Sequence, residues 1–583
     1  MKMFKHQTVP YLGVIIALLF WLSGCKTDSN TGTISVKTFC NPMDLSYRFC
    51  TDEPSRREAA DPTVVWFRDR YYLFASKSGG YWHSKDLLEW IFIETDQIPI
   101  EEYAPTAIAI GDVLYFLASS NVKSTIYSST NPMAGEWRVA VEELEIPVWD
   151  PAFFLDDDNR LYLYWGCSNV TPIYGVEVDY SNGFAFIGEP KELIHAKPSV
   201  YGWEVPGDYN TLVNQSPWIE GAWMNKHNGK YYLQYSGPGT EYKSYADGVY
   251  VSNNALGPYT LQAHNPFAYK PEGFAAGAGH GSTFTDPHGN YWHLGTITIS
   301  QKHIFERRLG MFPTFFDNQG TLYSITKYGD YPLIMPGGRV SNFDEVFPGW
   351  MLLSYGRSVE VSSSIDTLPP INMVDEDIRT YWAAQTGGAN EYATLDMGQV
   401  YDVYALQINF AEHNTNLFGR TRDLFHRYVV EHSVDGEEWS LLIDKSDNQN
   451  DNTHDYTQLD RIVPCRYLRL RNISVPDGNF AVSGFRVFGK GNGNSPTRVN
   501  ELVATRNPLD SRSVTVKWSP SENATGYVIS FGVDSSRMYH NYMVYSDTSV
   551  TINSLNAALG YYFSIESFNE SGITPSTLVV RIE

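Results

Sequence analysis

The chain has 583 residues, several times the length of an ordinary domain of about 150 residues, which predicts several modules in series. It carries 43 Lys+Arg against 66 Asp+Glu, a net charge of −23 that repels phosphate backbones and argues against nucleic-acid partners. A hydrophobic content of 43% excludes disorder as the main state. The aromatic content of 15% is typical of β-strands and of the flat faces that stack on sugar rings.

The N-terminus combines two lysines, Lys2 and Lys5, with an apolar run over 11–22. The run is shorter than the roughly 20 residues of a membrane-spanning helix, which predicts a signal peptide over 1–24. Its end, Leu22-Ser23-Gly24-Cys25, resembles a bacterial lipobox. The resemblance implies that Cys25 is lipidated, that 25–39 is a tether, and that the chain is a cell-envelope lipoprotein held at the outer membrane, on its periplasmic or outer face. An ordinary secreted protein is the alternative.

Four further cysteines follow. An oxidising envelope would allow Cys40 and Cys50 to pair across a loop of about eleven residues, with free thiols as the equal alternative. Cys167 and Cys465 are predicted to be buried thiols, because the sequence has no paired Cys/His spacing typical of zinc.

One short pattern occurs five times, at 69–73, 112–116, 159–163, 229–233 and 289–293. Each copy is a turn containing Gly, Asp or Asn, followed by a strand rich in aromatic residues. Units of roughly 40–70 residues with several antiparallel strands are typical of propeller blades. The sequence therefore predicts an all-β chain that begins with a five-bladed β-propeller over 40–350.

A second regularity is chemical. Asp61, Asp150, Glu220 and His280 each lie 11 or 12 residues before the aromatic residue at the fourth position of their own copy. Equivalent positions at the start of the innermost strands face one end of the central channel, so three acids are expected to converge there. Each Asp-Pro pair could instead cap a turn, but recurrence in register favours convergence.

Converging carboxylates beside aromatic residues suit hydrolysis of a glycosidic bond. One carboxylic acid protonates the leaving oxygen, and one carboxylate activates water or attacks carbon. A third acid nearby would raise the pKa of the proton donor by like-charge repulsion.

These motifs resemble glycoside hydrolase family 43 over about 40–345. The residues that carry the resemblance are Ala60-Asp61-Pro62, Trp149-Asp150-Pro151, Ile219-Glu220-Gly221 and Gly279-His280-Gly281. It implies an inverting mechanism with Asp61 as general base, Glu220 as general acid and Asp150 as the residue that tunes the acid.

The resemblance also implies sugar-binding residues. Arg307 matches an arginine that contacts the sugar, although strand alternation allows only one of Arg307 and Arg308 to face the channel. His280 matches a histidine near the propeller axis, where relatives hold calcium or water. No cofactor is required otherwise. The candidate pocket aromatics, each with blade packing as the alternative, are Trp82, Tyr103, Trp149 and Trp218.

The implied activity is exo-acting removal of a terminal sugar, in first place α-L-arabinofuranose, from plant polysaccharide. The second blade reads Tyr103-Ala104-Pro105-Thr106 where many relatives have Trp-Ala-Pro-Asp, so the substrate is open. β-Xylosidase, β-galactofuranosidase and exo-β-galactosidase are alternatives. A non-catalytic, glycan-binding surface lipoprotein is the alternative of another class.

Two C-terminal modules follow. Residues 356–490 resemble a discoidin (F5/8 type C) jelly roll, which implies glycan binding and a calcium ion near an acidic loop such as 375–377, unless that loop is simply solvated. A linker rich in Gly, Asn and Ser leads to 497–583. This last module resembles an immunoglobulin-like fibronectin type III sandwich, with Trp518 buried and Tyr561 at the tyrosine corner.

Overall fold

The computed structural model describes residues 32–100 and 102–583, and its regular structure is almost entirely β-strand. The predicted signal peptide, Cys25 and the first residues of the predicted tether lie outside this part of the chain. Within it, no helix has the length and apolar character needed to cross a bilayer. The short 3₁₀ helices are Pro132–Ala134, Tyr180–Asn182, Gly202–Glu204, Phe343–Glu345 and Pro370–Met373.

Five four-stranded antiparallel sheets form the first domain, and each has its strands in chain order. The first strands of neighbouring sheets contact one another around a ring that closes from the fifth sheet to the first. The predicted five-bladed propeller is therefore confirmed. From blade 1 to blade 5 the strands are Thr63–Phe67, Arg70–Phe74, Gly80–Ser84 and Ile91–Glu94; Thr106–Ile110, Val113–Leu117, Ile126–Asn131 and Glu136–Val141; Ala152–Leu155, Leu161–Trp165, Ile173–Asp179 and Ala185–Ile194; Glu220–His227, Lys230–Gly237, Ala246–Ser252 and Thr260–Leu261; Gly279–Thr285, Tyr291–Thr298, Arg307–Phe316 and Leu322–Ser324.

The aromatic residue of each repeat lies on the second strand of its blade. Tyr72, Tyr162, Tyr232 and Trp292 are all buried. They pack against other rings, for example Tyr72 against Tyr81 and Tyr232 against Phe316. Much of the aromatic excess is therefore blade core, where large flat side chains bury the most apolar surface.

The N-terminal segment packs on the rest of the molecule. Thr38–Phe39 pairs antiparallel with Leu333–Ile334, and the Asn41 amide donates hydrogen bonds to Met311 O (2.9 Å) and Gly329 O (2.7 Å). Residues 32–34 run beside 460–462, where Ile34 N donates to Asp460 O. Of the predicted tether over 25–39, the part from residue 32 onwards is thus bound to the folded domains. Two more short strands, Arg48–Phe49 and Arg57–Glu58, form a hairpin.

The second domain is a jelly roll built on two very long, bent strands, Tyr392–Phe410 and His454–Ser474. Irregularities in their pairing near Tyr401 and Ala405 let one strand contribute to both layers around a single apolar core. Its other strands are Met351–Leu352, Ser358–Val361, Trp382–Ala383, Arg427–Ser433, Ser440–Lys445 and Ala481–Lys490.

The third domain is a sandwich of a three-stranded and a five-stranded sheet, as the immunoglobulin-like prediction requires. Trp518 is buried edge-on against Tyr527, with ring centroids 5.3 Å apart. The strands are Leu502–Arg506, Val514–Trp518 and Ser549–Ile552 in one sheet, and Gly526–Gly532, His540–Tyr545, Tyr561–Asn569, Gly572–Pro575 and Val580–Ile582 in the other.

A buried arginine of the second domain ties it to the propeller. Arg486, 1% exposed, donates to both carboxylate oxygens of Glu376 at 2.9 and 2.8 Å and to Asp330 O at 2.6 Å. Because Asp330 belongs to the propeller end and Arg486 to the jelly roll, this charge lies at the domain junction. A guanidinium in such a place needs a fixed carboxylate partner.

The cysteines are free thiols. Cys40 Sγ donates to Asp330 O at 3.3 Å at the domain junction, whereas Cys50 Sγ donates to Glu58 Oε2 at 3.4 Å. The suggested Cys40–Cys50 pairing is therefore wrong, because each thiol is committed to a different partner. Cys465 is buried as predicted, but Cys167 is partly exposed.

Replacing Glu376 with alanine should destabilise the chain by about 3–5 kcal/mol, because it leaves the Arg486 charge buried without its partner. Urea unfolding followed by tryptophan fluorescence measures the change. Arg160→Ala is the control, since Arg160 pairs with Asp158 at a surface where both side chains are about half exposed (52% and 53%), and its loss should cost less than about 1 kcal/mol. Equal effects of the two substitutions would contradict the assignment.

Candidate active site

The turns that lead into the first strands have an unusual backbone. Asp61, Asp150 and His280 have φ of 53°, 49° and 40°, and Ala104 and Gly221 lie at 48° and 64° in the other two blades. Residues with a side chain seldom adopt this left-handed region, and they persist there only when their surroundings hold them. All five blades therefore present a left-handed residue at the same end of the channel.

A ring of hydroxyl groups holds four of these turns. In each case the backbone N–H of the left-handed residue donates to a serine or threonine near the end of the second strand of the preceding blade. The pairs are Asp61 with Thr296 (3.0 Å), Ala104 with Ser76 (2.7 Å), Asp150 with Ser119 (2.9 Å) and His280 with Ser236 (2.7 Å). Four of the five blades thus position the turn of the next blade.

The Asp61 carboxylate is surrounded by donors. Its Oδ1 accepts from Arg307 Nη1 at 2.9 Å and lies 3.3 Å from His280 Nδ1, and its Oδ2 accepts from Ser76 Oγ at 2.7 Å. Two of the three donors carry or can carry positive charge. The side chain is 4% exposed, so its orientation is fixed by these contacts.

Glu220 has neutral partners instead. Its Oε1 accepts from the Tyr245 hydroxyl, and its Oε2 accepts from Cys167 Sγ at 3.2 Å. Burial, assisted by the carboxylates nearby, raises the pKa of Tyr245 and of Cys167, so both remain neutral donors. The two acids predicted to act as base and donor therefore differ in their partners.

Asp150 completes the cluster. Its Oδ2 lies 3.6 Å from His280 Nδ1, and its Oδ1 accepts from Ser119 Oγ at 3.2 Å. Burial raises the pKa of Asp150 to about 7, and the nearby Glu220 and Asp61 add to the rise while His280 opposes it. Like-charge repulsion therefore adds to burial at Asp150, which is not the residue predicted to be the proton donor.

His280 lies between acids. Burial lowers the pKa of His280, but Asp61, Asp150, Glu220 and Asp247 outweigh burial and hold the pKa above its usual value. Asp247 is wholly buried beneath it and accepts the backbone N–H groups of His280 (2.8 Å) and Gly281 (3.1 Å).

The two adjacent arginines separate as strand alternation requires. Arg307 faces the cluster, where it binds Asp61, Thr240 and the buried Glu58, whose Oε1 accepts from Arg307 Nε at 3.1 Å. Arg308 faces away and donates to His454 of the jelly roll at 3.0 Å. The structure thus resolves the open choice in favour of Arg307.

Three of the four candidate aromatic residues are at least partly exposed near the acid cluster, and the fourth is buried. Trp149 and Trp218 are 37% and 45% exposed beside Asp150 and Glu220. Tyr103 is half-buried, with its ring 5.7 Å from the Arg307 guanidinium carbon. Trp82 is wrong as a pocket residue, because it is fully buried in the blade core and its indole donates to Ser46 Oγ at 3.0 Å.

Sequence reasoning missed the supporting residues of the site, namely Glu58, Cys167, Tyr245 and Asp247. The ring hydroxyl lies four residues after the fourth-position aromatic residue of the other four copies, whereas blade 3 has Gly166 there and Cys167 one residue later, so the repeat does not mark Cys167. Tyr245 and Asp247 belong to the third strand of blade 4 and its approach, which the repeat does not mark.

The acidic loop of the jelly roll does not fit a calcium ion. Calcium takes six to eight oxygen ligands, yet Glu376 is bound on both oxygens by Arg486 and Asp377 is bound by Lys243 Nζ at 3.0 Å. In the described part of the chain, Asp150, Cys167 and Glu220 have ligand atoms within 4.8 Å of one another. A thiol in this set does not suit calcium. Calcium at the propeller axis beside His280 stays a prediction.

The fold and the cluster define a β-propeller with buried carboxylates at one end of its channel. Comparison with known families is more specific: residues 55–321 match the model of glycosyl hydrolases family 43, and 358–484 match the F5/8 type C domain. Residues 55–321 therefore correspond to a family 43 glycosyl hydrolase domain, and residues 358–484 to an F5/8 type C domain.

Curated relatives are distant. A β-xylosidase of Xylanibacter ruminicola is 28% identical over 134 residues, which cover 19% of this chain and 39% of the relative. An arabinoxylan arabinofuranohydrolase of Paenibacillus polymyxa is 29% identical over 191 residues, covering 31% and 26%. A putative β-xylosidase of Escherichia coli K12 is 26% identical over 273 residues, covering 41% and 47%. The chain spans less than half the length of each relative.

Solved structures include a thermostable family-43 glycoside hydrolase, 23% identical, which aligns with 52% of this chain and all of its own length at a TM-score of 0.42. The Bacteroides ovatus xyloglucan PUL GH43B is 14% identical and covers 94% of this chain and 98% of its own, with a TM-score of 0.41.

The raised pKa of Asp150 predicts a pH-dependent stability. An ordinary aspartate ionises near pH ~3.9, whereas folded Asp150 holds its proton to about pH 7, so its contribution to stability falls as pH rises between these values. Because asparagine does not ionise, Asp150→Asn removes this loss of stability at higher pH. The difference in unfolding temperature between variant and wild type should therefore grow from pH 5 to pH 8, measured by calorimetry. The exposed Asp112→Asn should show no such growth, and a pH-independent difference for Asp150→Asn would contradict the burial argument.

Proposed function

We propose that the propeller hydrolyses O-glycosidic bonds by a single displacement that inverts the anomeric carbon, and that it acts on the terminal sugar of a plant polysaccharide. The observation that carries the proposal is the unequal environment of Asp61 and Glu220. One acid is held by Arg307 and faces His280, and the other is held by a phenol and a thiol. Separated roles for two carboxylates are what acid and base catalysis at one bond requires.

In this mechanism Asp61 accepts a proton from the attacking water, and Glu220 gives its proton to the leaving glycosidic oxygen. Tyr245 and Cys167 orient Glu220 towards that oxygen. Asp150 and His280 share the charge of the cluster and orient the sugar. Tyr103, Trp149 and Trp218 provide apolar faces at the opening of the site.

The substrate we propose first is a terminal α-L-arabinofuranose. One relative is named for arabinoxylan arabinofuranohydrolase activity, which supports this choice, while two others are named as β-xylosidases, one of them putative. β-Xylosidase is therefore the alternative favoured next, ahead of β-galactofuranosidase and exo-β-galactosidase. These sugars differ in ring size or one hydroxymethyl arm, which the shape of the pocket decides.

The remaining modules would deliver the catalytic domain to its substrate. We propose a lipid on Cys25 that anchors the chain to the outer membrane. The last module fits a fibronectin type III domain, since the Tyr561 hydroxyl accepts the backbone N–H of Asn556 at 3.0 Å, as a tyrosine corner does. A non-catalytic glycan-binding lipoprotein, the alternative of another class, would not need the separated partners of Asp61 and Glu220.

Substitution of either acid tests the proposal. Asp61→Asn and Glu220→Gln should each lower the rate of sugar release from arabinoxylan oligosaccharides by roughly 10²- to 10⁴-fold, because each removes one proton transfer. Proton NMR of the first product formed should show the inverted anomer. Early accumulation of the retained anomer, or an unchanged rate in either variant, would contradict the mechanism. A wild-type panel of 4-nitrophenyl arabinofuranoside, xyloside, galactofuranoside and galactoside identifies the sugar.

The jelly roll also binds a residue next to the acid cluster. Arg57, wholly buried, donates to Glu412 Oε1 at 2.6 Å and to Asp451 Oδ2 at 2.8 Å, both in the jelly roll. Its neighbour Glu58 faces the opposite way and binds Arg307. The position of Glu58, and through Arg307 that of Asp61, thus depends on an ion pair between domains.

Glu412→Gln should therefore lower kcat/KM by about tenfold, since small displacements of a catalytic group are costly, and should shift the acidic limb of the pH profile. Asp377→Asn is the matched control, because it breaks the Lys243–Asp377 ion pair of the same domain interface away from Asp61. Asp377→Asn should keep the wild-type pH profile. If Glu412→Gln kept it as well, the positioning role of Glu412 would be refuted.

A further inference from the structure

A second cavity lies where the propeller meets the jelly roll. It is a cleft of about 630 Å³, within the range of small-ligand sites. One wall consists of the connection into the last strand of blade 1 and the start of that strand, residues 88–92, with the nearby segment 44–48. The other wall consists of two jelly-roll loops, 422–425 and 449–452. The catalytic acids do not line it.

The propeller wall is aromatic. Trp90 is half-buried, and its indole N–H donates to Leu87 O at 3.1 Å, so the ring is fixed by the blade. Phe92 lies beside it, with the Arg48 guanidinium carbon 5.2 Å from the ring centroid. Phe425 lines the jelly-roll wall. Rigid aromatic faces in an open cleft suit the C–H faces of sugar rings.

The base of the cleft is polar and incompletely satisfied. Asp44 Oδ1 and Asp451 Oδ1 are buried without a hydrogen-bond partner in the described chain. Their second oxygens accept from Asn452 (3.0 Å) and Arg57 (2.8 Å), so neither side chain can turn away freely. A buried acceptor without a donor is costly, and ligand hydroxyl groups supply donors.

The charges of the cleft favour an uncharged ligand. Asp44, Glu89, Asp423 and Asp451 line it. Of its two arginines, Arg48 donates to Thr421 O at 3.2 Å and Arg422 pairs with Glu94 at 2.9 Å. An anionic chain would meet carboxylates whose neighbouring cations are already engaged.

We propose that this cleft is a second carbohydrate site, which binds a neutral oligosaccharide through Trp90 and Phe92 on one side and hydroxyl contacts to Asp44 and Asp451 on the other. It would hold the polysaccharide at the junction of the two domains while the channel of the propeller receives a chain end. Because this site needs both domains, it is a property of the assembled chain.

Calorimetric titration with xylohexaose and with linear arabinohexaose tests the proposal in an Asp61→Asn background, where hydrolysis is slowed. One of the two neutral sugars should show binding at the cleft besides binding at the channel. Adding Trp90→Ala should weaken the cleft component roughly tenfold or more. Trp66→Ala is the matched control, an exposed tryptophan of the same blade (44%) that does not line the cleft.

A second variant keeps the proposal testable if Trp90→Ala fails to fold. Asn450→Trp fills the cleft from an exposed loop position and should likewise remove the cleft component while leaving the unfolding temperature unchanged. Retained binding in both variants, or tighter binding of oligogalacturonate than of either neutral sugar, would overturn the proposal. The binding assay does not depend on turnover, so the second site could be shown even if the proposed hydrolysis failed, and the reverse also holds.

Discussion

The rest of the structure depends on how neighbouring side chains alternate at two places beside the channel. At 57–58 and at 307–308, one residue of each pair faces the acid cluster and the other faces the jelly roll. Glu58 and Arg307 join to hold Asp61, while Arg57 and Arg308 are taken up by the second domain. Because Arg57, Glu58 and Arg307 are buried and ion-paired, none of these three can relax without leaving a charge unpaired in the interior. The site and the domain interface are therefore two sides of one network.

The propeller supplies the other half of the arrangement. Turning a strand sharply into the channel places aspartate and histidine in a left-handed conformation that is unfavourable for both. The hydroxyl of the preceding blade compensates with a hydrogen bond to the strained residue. The turn into blade 4 departs from this pattern, since blade 3 has Gly166 in the hydroxyl position, and the next residue, Cys167, donates to the Glu220 side chain instead. The exception falls on the proposed acid, where a neutral donor keeps the carboxyl oriented without adding charge.

The repeat made much of this predictable. Five copies in register indicated the blades, and acids 11 or 12 residues before the fourth-position aromatic residue of three copies indicated the cluster around Asp61. What a repeat cannot indicate is a contact between residues far apart in sequence, such as Arg57 with Glu412, 355 positions away. Trp82 shows the other limit: it lies next to a recognisable motif, but on the third strand of its blade, where every residue is buried. Which aromatic residues are exposed at the channel mouth could be decided only after each residue had been assigned to a strand of its blade.

The most direct test of the separated roles of Asp61 and Glu220 uses the leaving group. The phenolate of an aryl glycoside with an acidic phenol leaves without protonation. The alkoxide of an alkyl glycoside must be protonated as it leaves. Glu220→Gln should lose less than about tenfold on the aryl substrate and roughly 10²- to 10⁴-fold on the alkyl substrate, while Asp61→Asn should lose equally on both. Equal losses of Glu220→Gln on the two substrates would contradict the assignment of Glu220 as the proton donor.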